Sequence, residues 1–325
     1  MRTNKTILFL LLSFLLIFAG CKKDENLTDP PLPNESEVLA QYMEANGDYI
    51  NTQAPTFITA SEVREGQLNK TNQIVLDLRN SCDFETKGHI EGAFKIRMKD
   101  IPWYYRTNDL AAKEKVIITC NTGQEASYAV ALLRYYGYTN VYGMMWGMTS
   151  WNARCDSWTP FISDQLASQF TQNSVEKNSG GGMPEINTGK TTPDEILRER
   201  VTLILDAGFD EAKISTETLF MNLSDYFLVN YASFEEYSAG HIPNSVQYTP
   251  GADLKLNTYL KTLPVDKTIV LYCSTGQTAF HAAAYLKILG YNAKSVLFGN
   301  NGMNYSTMRG KKFNPAEIND FPYVH

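Results

Sequence analysis

Two hydrophobic patterns alternate along most of the chain. Short apolar runs rich in Val, Ile and Leu occupy residues 74–78, 116–120, 226–231 and 269–273. Stretches of helical period follow, most clearly at 126–138 and 279–291. Runs this short and this apolar suit strands covered on both faces, and their alternation with helices predicts an α/β fold with mainly parallel sheets flanked by helices. In such sheets ligands bind beyond the carboxyl ends of the strands. Cys120 and Cys273 each end an apolar run, directly before a glycine-containing turn and a predicted helix.

The pattern is duplicated. Residues 74–93 are echoed by 226–245, and 116–126 by 269–279. Cys120 to Cys273 spans 153 positions and His89 to His241 spans 152, so the two copies keep almost the same internal spacing. The likeness extends upstream, where 36–50 with 57–63 parallels 194–210 with 213–219, and each copy opens on a helix. We therefore divide this part of the chain into domains at 36–164 and 193–325. Residues 165–192 are polar, contain a Gly triplet and read as a linker.

The first residues follow another rule. Arg2 and Lys5 precede an apolar run at 7–19, whose 13 residues are too few for a spanning helix of about 20. The run ends in Phe18-Ala19-Gly20-Cys21, which resembles a bacterial lipobox. That resemblance implies a signal at 1–20, cleavage before Cys21, lipid on its sulfur and export to the cell envelope, with the outer membrane the expected site. Residues 21–35 are charged and rich in proline, an extended tether. An ordinary cleaved signal or an uncleaved anchor is the alternative.

Composition narrows the remaining choices. Hydrophobic residues make up 43%, charged 20% and aromatic 12% of 325, ordinary for globular domains and unlike a disordered or polytopic membrane chain. Lys and Arg number 29 against 35 Asp and Glu, a net charge of −6, so no basic excess points to nucleic acid. Loss of Arg2 and Lys5 would leave the chain two charges more acidic, and membrane attachment would rest on acyl chains.

The cysteine loops carry the candidate chemistry. Cys120 is followed by Asn121, Thr122, Gly123, Gln124 and Glu125, and Cys273 by Ser274, Thr275, Gly276, Gln277 and Thr278. A glycine in such a turn lets successive N–H groups face inward, and the following helix adds its positive end, an arrangement that cradles an anion. The same features are expected to depress the thiol pKa and favour the nucleophilic thiolate.

At these positions the chain resembles the rhodanese family, as a tandem of two domains. The likeness rests on Asp77-Leu78-Arg79, on Gly88-His89-Ile90 and Gly240-His241-Ile242, on both cysteine loops, and on Trp146-Gly147-Met148 and Asn301-Gly302-Met303. It implies that Cys120 and Cys273 are nucleophiles that carry sulfane sulfur as a persulfide, with loop N–H groups holding the anion and Asp77 with Arg79 in support. The implied partners are a small sulfur donor and a thiol or other thiophilic acceptor, and no cofactor is implied. A non-catalytic module that binds an anion or sulfur species, or docks a protein, is the alternative.

Each copy departs from the family pattern. Active members commonly carry a cation at the loop end, where this chain has Glu125 and Thr278. A carboxylate beside the sulfur raises the thiol pKa and repels an anionic donor. The second loop is neutral, but Asn230-Tyr231-Ala232 replaces the Asp-x-Arg pair, and Cys273 is expected to be the more reactive thiol. Related phosphatases use a longer loop ending in Arg, which both copies lack.

The other candidates read as structural. His89 and His241 precede turns and are expected to make hydrogen bonds, and His281 reads as a residue on a helix surface. Trp103, Tyr104, Tyr105, Trp146, Trp151 and Trp158 are expected to pack in cores or between domains. Cys82 lies near the first loop in sequence, leaving either a regulatory disulfide to Cys120 or free thiols at Cys82 and Cys155. No spacing of Cys and His suggests zinc.

Overall fold

A computed structural model describes residues 34–325. The predicted signal, Cys21 and all but the end of the tether lie outside the described residues. In the first half the strands are β1 (Phe57–Ile58), β2 (Gln73–Asp77), β3 (Phe94–Lys95), β4 (Lys115–Thr119) and β5 (Val141–Met144). They pair in parallel in the order β1-β5-β4-β2-β3. The second half repeats this with β6 (Lys213–Ile214), β7 (Tyr226–Tyr231), β8 (Val246–Tyr248), β9 (Thr268–Tyr272) and β10 (Ala293–Val296), in the order β6-β10-β9-β7-β8. The predicted α/β class, two mainly parallel sheets flanked by helices, is the observed one.

The helices are α1 (Glu35–Ala45), α2 (Tyr49–Thr52), α3 (Ala60–Leu68), α4 (Ser81–Thr86), α5 (Ile101–Thr107), α6 (Gln124–Tyr135), α7 (Pro193–Ala207), α8 (Thr216–Met221), α9 (Phe234–Ala239) and α10 (Gln277–Ile288). Several starts are written in the sequence. Thr59 with Glu62, Thr192 with Glu195 and Ser233 with Glu236 form capping boxes that satisfy otherwise orphaned N–H groups. Helices α6 and α10 are buried almost all round and rich in alanine, because each is covered by its own sheet on one side and by the other helix on the other.

The two halves therefore share one core. A single hydrophobic cluster runs from Leu39 and Met43 through Tyr128 and Leu132 to Phe280, Tyr285 and Leu289. His281, expected on a helix surface, lies in this contact instead, edge-on to Phe57 and 6.3 Å from the Tyr49 ring. Polar contacts reinforce the joint: Ser36 Oγ donates to the Leu289 carbonyl at 2.6 Å, and Glu44 accepts the Leu256 N–H at 2.6 Å.

Each half also sends an arm over the other. Residues 161–173, which leave the first half, lie against the second: Ser163 N–H donates to the Asn301 carbonyl, and Thr171 exchanges two backbone hydrogen bonds with His241. Residues 319–325, which leave the second half, lie against the first. There the Asn319 and Phe321 N–H groups donate to the Ser150 and Trp151 carbonyls, and Val324 exchanges two hydrogen bonds with His89. The segment at 165–192 is thus laid over the second half and not a free spacer; Met183 is buried, and Gly181 donates to the Lys261 carbonyl.

Candidate functional site

Both cysteines follow the central strand of their sheet, Cys120 after β4 and Cys273 after β9. The first loop curls at Gly123, where φ is +78°, so that the chain turns directly into α6. The Gly123 N–H reaches Cys120 Sγ at 3.1 Å and the Ala126 N–H at 3.5 Å, with the Thr122 N–H also turned toward the sulfur. In the second loop the N–H groups of Thr275, Gly276 and Ala279 take the matching positions around Cys273, and Thr275 Oγ1 lies 4.0 Å from its sulfur.

A second turn clamps each loop from behind. Met148 N–H donates to the Cys120 carbonyl at 2.7 Å, and Asn300 N–H to the Cys273 carbonyl at 3.0 Å. Gly147 and Gly299 press so closely that a Cβ at either position would overlap the cysteine carbonyl oxygen. The residues just before them, Trp146 and Phe298, both hold φ near +63°, a left-handed conformation uncommon for bulky side chains.

Both thiols are buried, each about 3% exposed, and this reverses one expectation. Burial disfavours the thiolate and Glu125 adds repulsion, so the Cys120 thiol is pushed up to about 12 despite the loop N–H groups that favour its charged form. Cys273 is also raised by burial, opposed by its loop N–H groups, with no carboxylate among the causes. Glu125 is itself raised to about 7, chiefly by burial, and Lys213 from the other half opposes the rise.

Of the remaining loop residues, Asn121 Nδ2 donates to Asp83 at 3.1 Å, and its carbonyl accepts from Thr149. The Gln124 and Gln277 side chains leave the cradle and reach across to the opposite half. Gln124 Oε1 accepts the Phe298 N–H at 2.7 Å, while Gln277 Nε2 donates to the Thr122 carbonyl at 3.1 Å. The sequence marks these two residues only by repeating Thr-Gly-Gln.

Asp77 and Arg79 form a wholly buried bidentate pair, with Nη2 to Oδ2 at 2.8 Å. The guanidinium also donates to the Gly88 carbonyl at 2.9 Å and faces Cys155 Sγ at 3.6 Å, so the pair holds the turn before His89. In the second half Tyr272 does comparable work: its hydroxyl accepts the Ile242 N–H at 3.0 Å and bonds Ser245 Oγ at 2.8 Å. His89 stacks on Phe84 and His241 on Tyr237, each with Nδ1 at a backbone carbonyl. All four described cysteines are free, including the Cys82 and Cys120 weighed as a disulfide pair.

Beside the first loop, a cleft of about 750 Å³ opens at the carboxyl ends of β2 and β3. Its lining includes Arg79, Asn80, Phe94, Lys95, Trp103 and Tyr104, but not Cys120. Trp103, expected in a packed interior, is 62% exposed there, whereas Trp146, Trp151 and Trp158 are buried.

The rhodanese-like domain family matches residues 59–154 and 219–305, together more than half of the chain. A Bacillus subtilis protein named "Putative sulfur carrier protein YrkF" is 23% identical over 124 residues, which cover 38% of this chain and 65% of that relative's length. Among solved structures, a thiosulfate sulfurtransferase from Pseudomonas aeruginosa is 17% identical and covers 90% of this chain and 49% of its own, with a TM-score of 0.31. A rhodanese-related protein from Thermoplasma volcanium is 29% identical over 27% of this chain and 85% of its own, with a TM-score of 0.24. With each match covering four of the five strands of one sheet together with its cysteine loop, the chain belongs to the rhodanese-like domain family, as a tandem of two such domains.

Proposed function

We propose that the protein carries sulfane sulfur as a cysteine persulfide and passes it to a thiophilic acceptor. The observation that supports this most directly is the pair of thiols at the carboxyl ends of central strands, each facing three loop N–H groups. A thiolate would attack the outer sulfur of the donor and the donor's S–S bond would break. From thiosulfate the leaving group is sulfite, and the loop N–H groups would hold the anionic sulfur that remains. An acceptor thiolate or cyanide would then attack the terminal sulfur, and the cysteine thiolate would leave.

Cys273 is the stronger candidate, since Glu125 opposes both a thiolate at Cys120 and an anionic donor beside it. A polysulfide or a protein persulfide suits such a site better than thiosulfate. Intact-mass analysis after incubation with thiosulfate or polysulfide, with Cys120→Ser, Cys273→Ser and the double variant alongside, should show one added sulfur that Cys273→Ser abolishes. Cyanide should then release it as thiocyanate. The burial of both thiols favours a second reading, a non-catalytic domain pair that docks a partner or binds an anion. Absence of uptake from every donor by folded protein would select it.

We also propose export and lipid attachment at Cys21, supported by residues 7–21 alone. Full-length protein expressed in a bacterium should partition with membranes and carry an acylated amino terminus. Cys21→Ala should abolish the acyl mass.

A further inference from the structure

Gln277 belongs to the second domain, yet its amide ends at the first domain's cysteine loop. Its Nε2 donates to the Thr122 carbonyl at 3.1 Å, and Trp158 Nε1 donates to the same oxygen at 3.0 Å. That carbonyl shares a peptide plane with the Gly123 N–H, which is the group 3.1 Å from Cys120 Sγ. Two donors on the oxygen fix the tilt of the plane and polarise it, which strengthens its N–H as a donor toward negative sulfur.

The fit is specific on three counts. Gln277 is 1% exposed, so its amide has no competing solvent. Gly123 leaves the space the amide occupies, since a Cβ there would overlap Gln277 Nε2. The arrangement is also one-sided: Gln124, the counterpart, turns its oxygen to the Phe298 N–H, and among the described residues no side chain donates to the Thr275 carbonyl.

We propose that Gln277 is a positioning residue for Cys120, contributed across the domain boundary, which stabilises the Cys120 thiolate through the Thr122–Gly123 peptide. Reactivity at the first cysteine thereby depends on the docked second domain. This inference rests on the sulfur-carrying reading proposed above and concerns the less favoured of its two thiols.

The test is alkylation of Cys120 by iodoacetamide, read as the mass of its own peptide between pH 8 and 10. The thiolate attacks the methylene carbon and iodide leaves, so no sulfur donor is needed. Gln277→Met keeps the bulk and removes the donor; it should slow Cys120 alkylation about three- to tenfold at every pH, with Cys82 labelling unchanged. A merely structural role predicts the opposite sign, since loosening the interface exposes a buried thiol and speeds its reaction. An unchanged rate, within twofold, or a faster one overturns the proposal. Should Gln277→Met fail to fold, Gln277→Leu also lacks the donor, adds no charge and carries the same readout. Slowed alkylation in a protein that takes up no sulfur would overturn the transfer function and leave this inference standing.

Discussion

Glu125 is the residue whose chemistry works most directly against its neighbour. It sits at the start of α6, where the helix end favours a negative charge, but burial and the nearby Asp210 and Asp77 hold its carboxyl up. Once ionised it opposes a second negative charge on Cys120. Glu125→Gln keeps the shape and removes that repulsion; at an order of about 1 kcal/mol, the thiolate population of Cys120 should rise roughly fivefold. Alkylation of the Cys120 peptide at pH 8.5 checks this, and an unchanged rate would show that the carboxylate is screened from the sulfur. Arg79 presents a different balance, because its partner Asp77 is wholly buried. Arg79→Met strands that carboxylate and should cost about 3–5 kcal/mol in urea unfolding, part of which Asp77→Asn in the same chain should restore. The second domain has no such pair and holds its corresponding turn through Tyr272 and Ser245.

At the level of elements, the two arms do what neither domain does for itself. Phe321 packs edge-on to Trp151 with ring centroids 5.1 Å apart, and Trp151 Nε1 donates to the Pro322 carbonyl at 2.8 Å. Ending the chain at Ile318 would exchange that hydrogen bond for one to water and uncover the ring, a loss of about 3 kcal/mol. A lower thermal midpoint together with red-shifted tryptophan emission is the expected result; an unaltered emission spectrum would count against it. The repeated elements were legible because strands and cysteine loops carry side-chain signatures at fixed spacing. The arms were not, since residues 161–173 and 313–325 share little beyond an initial phenylalanine and are held mostly by backbone hydrogen bonds that leave no such mark. Gln124 and Gln277 were visible as a repeated Thr-Gly-Gln, but a loop that cradles an anion with its backbone says nothing about where its side chains point. The surface reading of His281 failed for a related reason. Its helix is covered on a second side by the other domain, and periodicity within one helix does not register a partner.

Across the whole molecule, the buried joint between the domains sets two titrations against each other. His281 is wholly enclosed between the halves and its pKa is drawn down to about 4 from an ordinary 6.5, by burial first. Between those values the unfolded chain binds the proton that the folded chain refuses, so stability from this group is present above pH 6.5 and is lost as pH falls toward 4. Glu125 acts in the reverse sense: raised from 4.5 to about 7, it binds a proton more readily when folded, and stability declines as pH rises through that interval. Each contribution is on the order of 3 kcal/mol across its full window. Over the shared range from about pH 4.5 to 6.5 they oppose and largely cancel. Glu62, Asp83, Asp164 and Glu195 are held below their ordinary values and titrate mainly beneath this range. Urea unfolding at pH 4.5, 5.5 and 6.5 should therefore give a nearly level profile for the natural chain. Glu125→Gln should unmask a rise with pH, His281→Gln should unmask a fall, and the double variant should be level again. Parallel profiles for all four proteins would mean that neither group titrates within the joint.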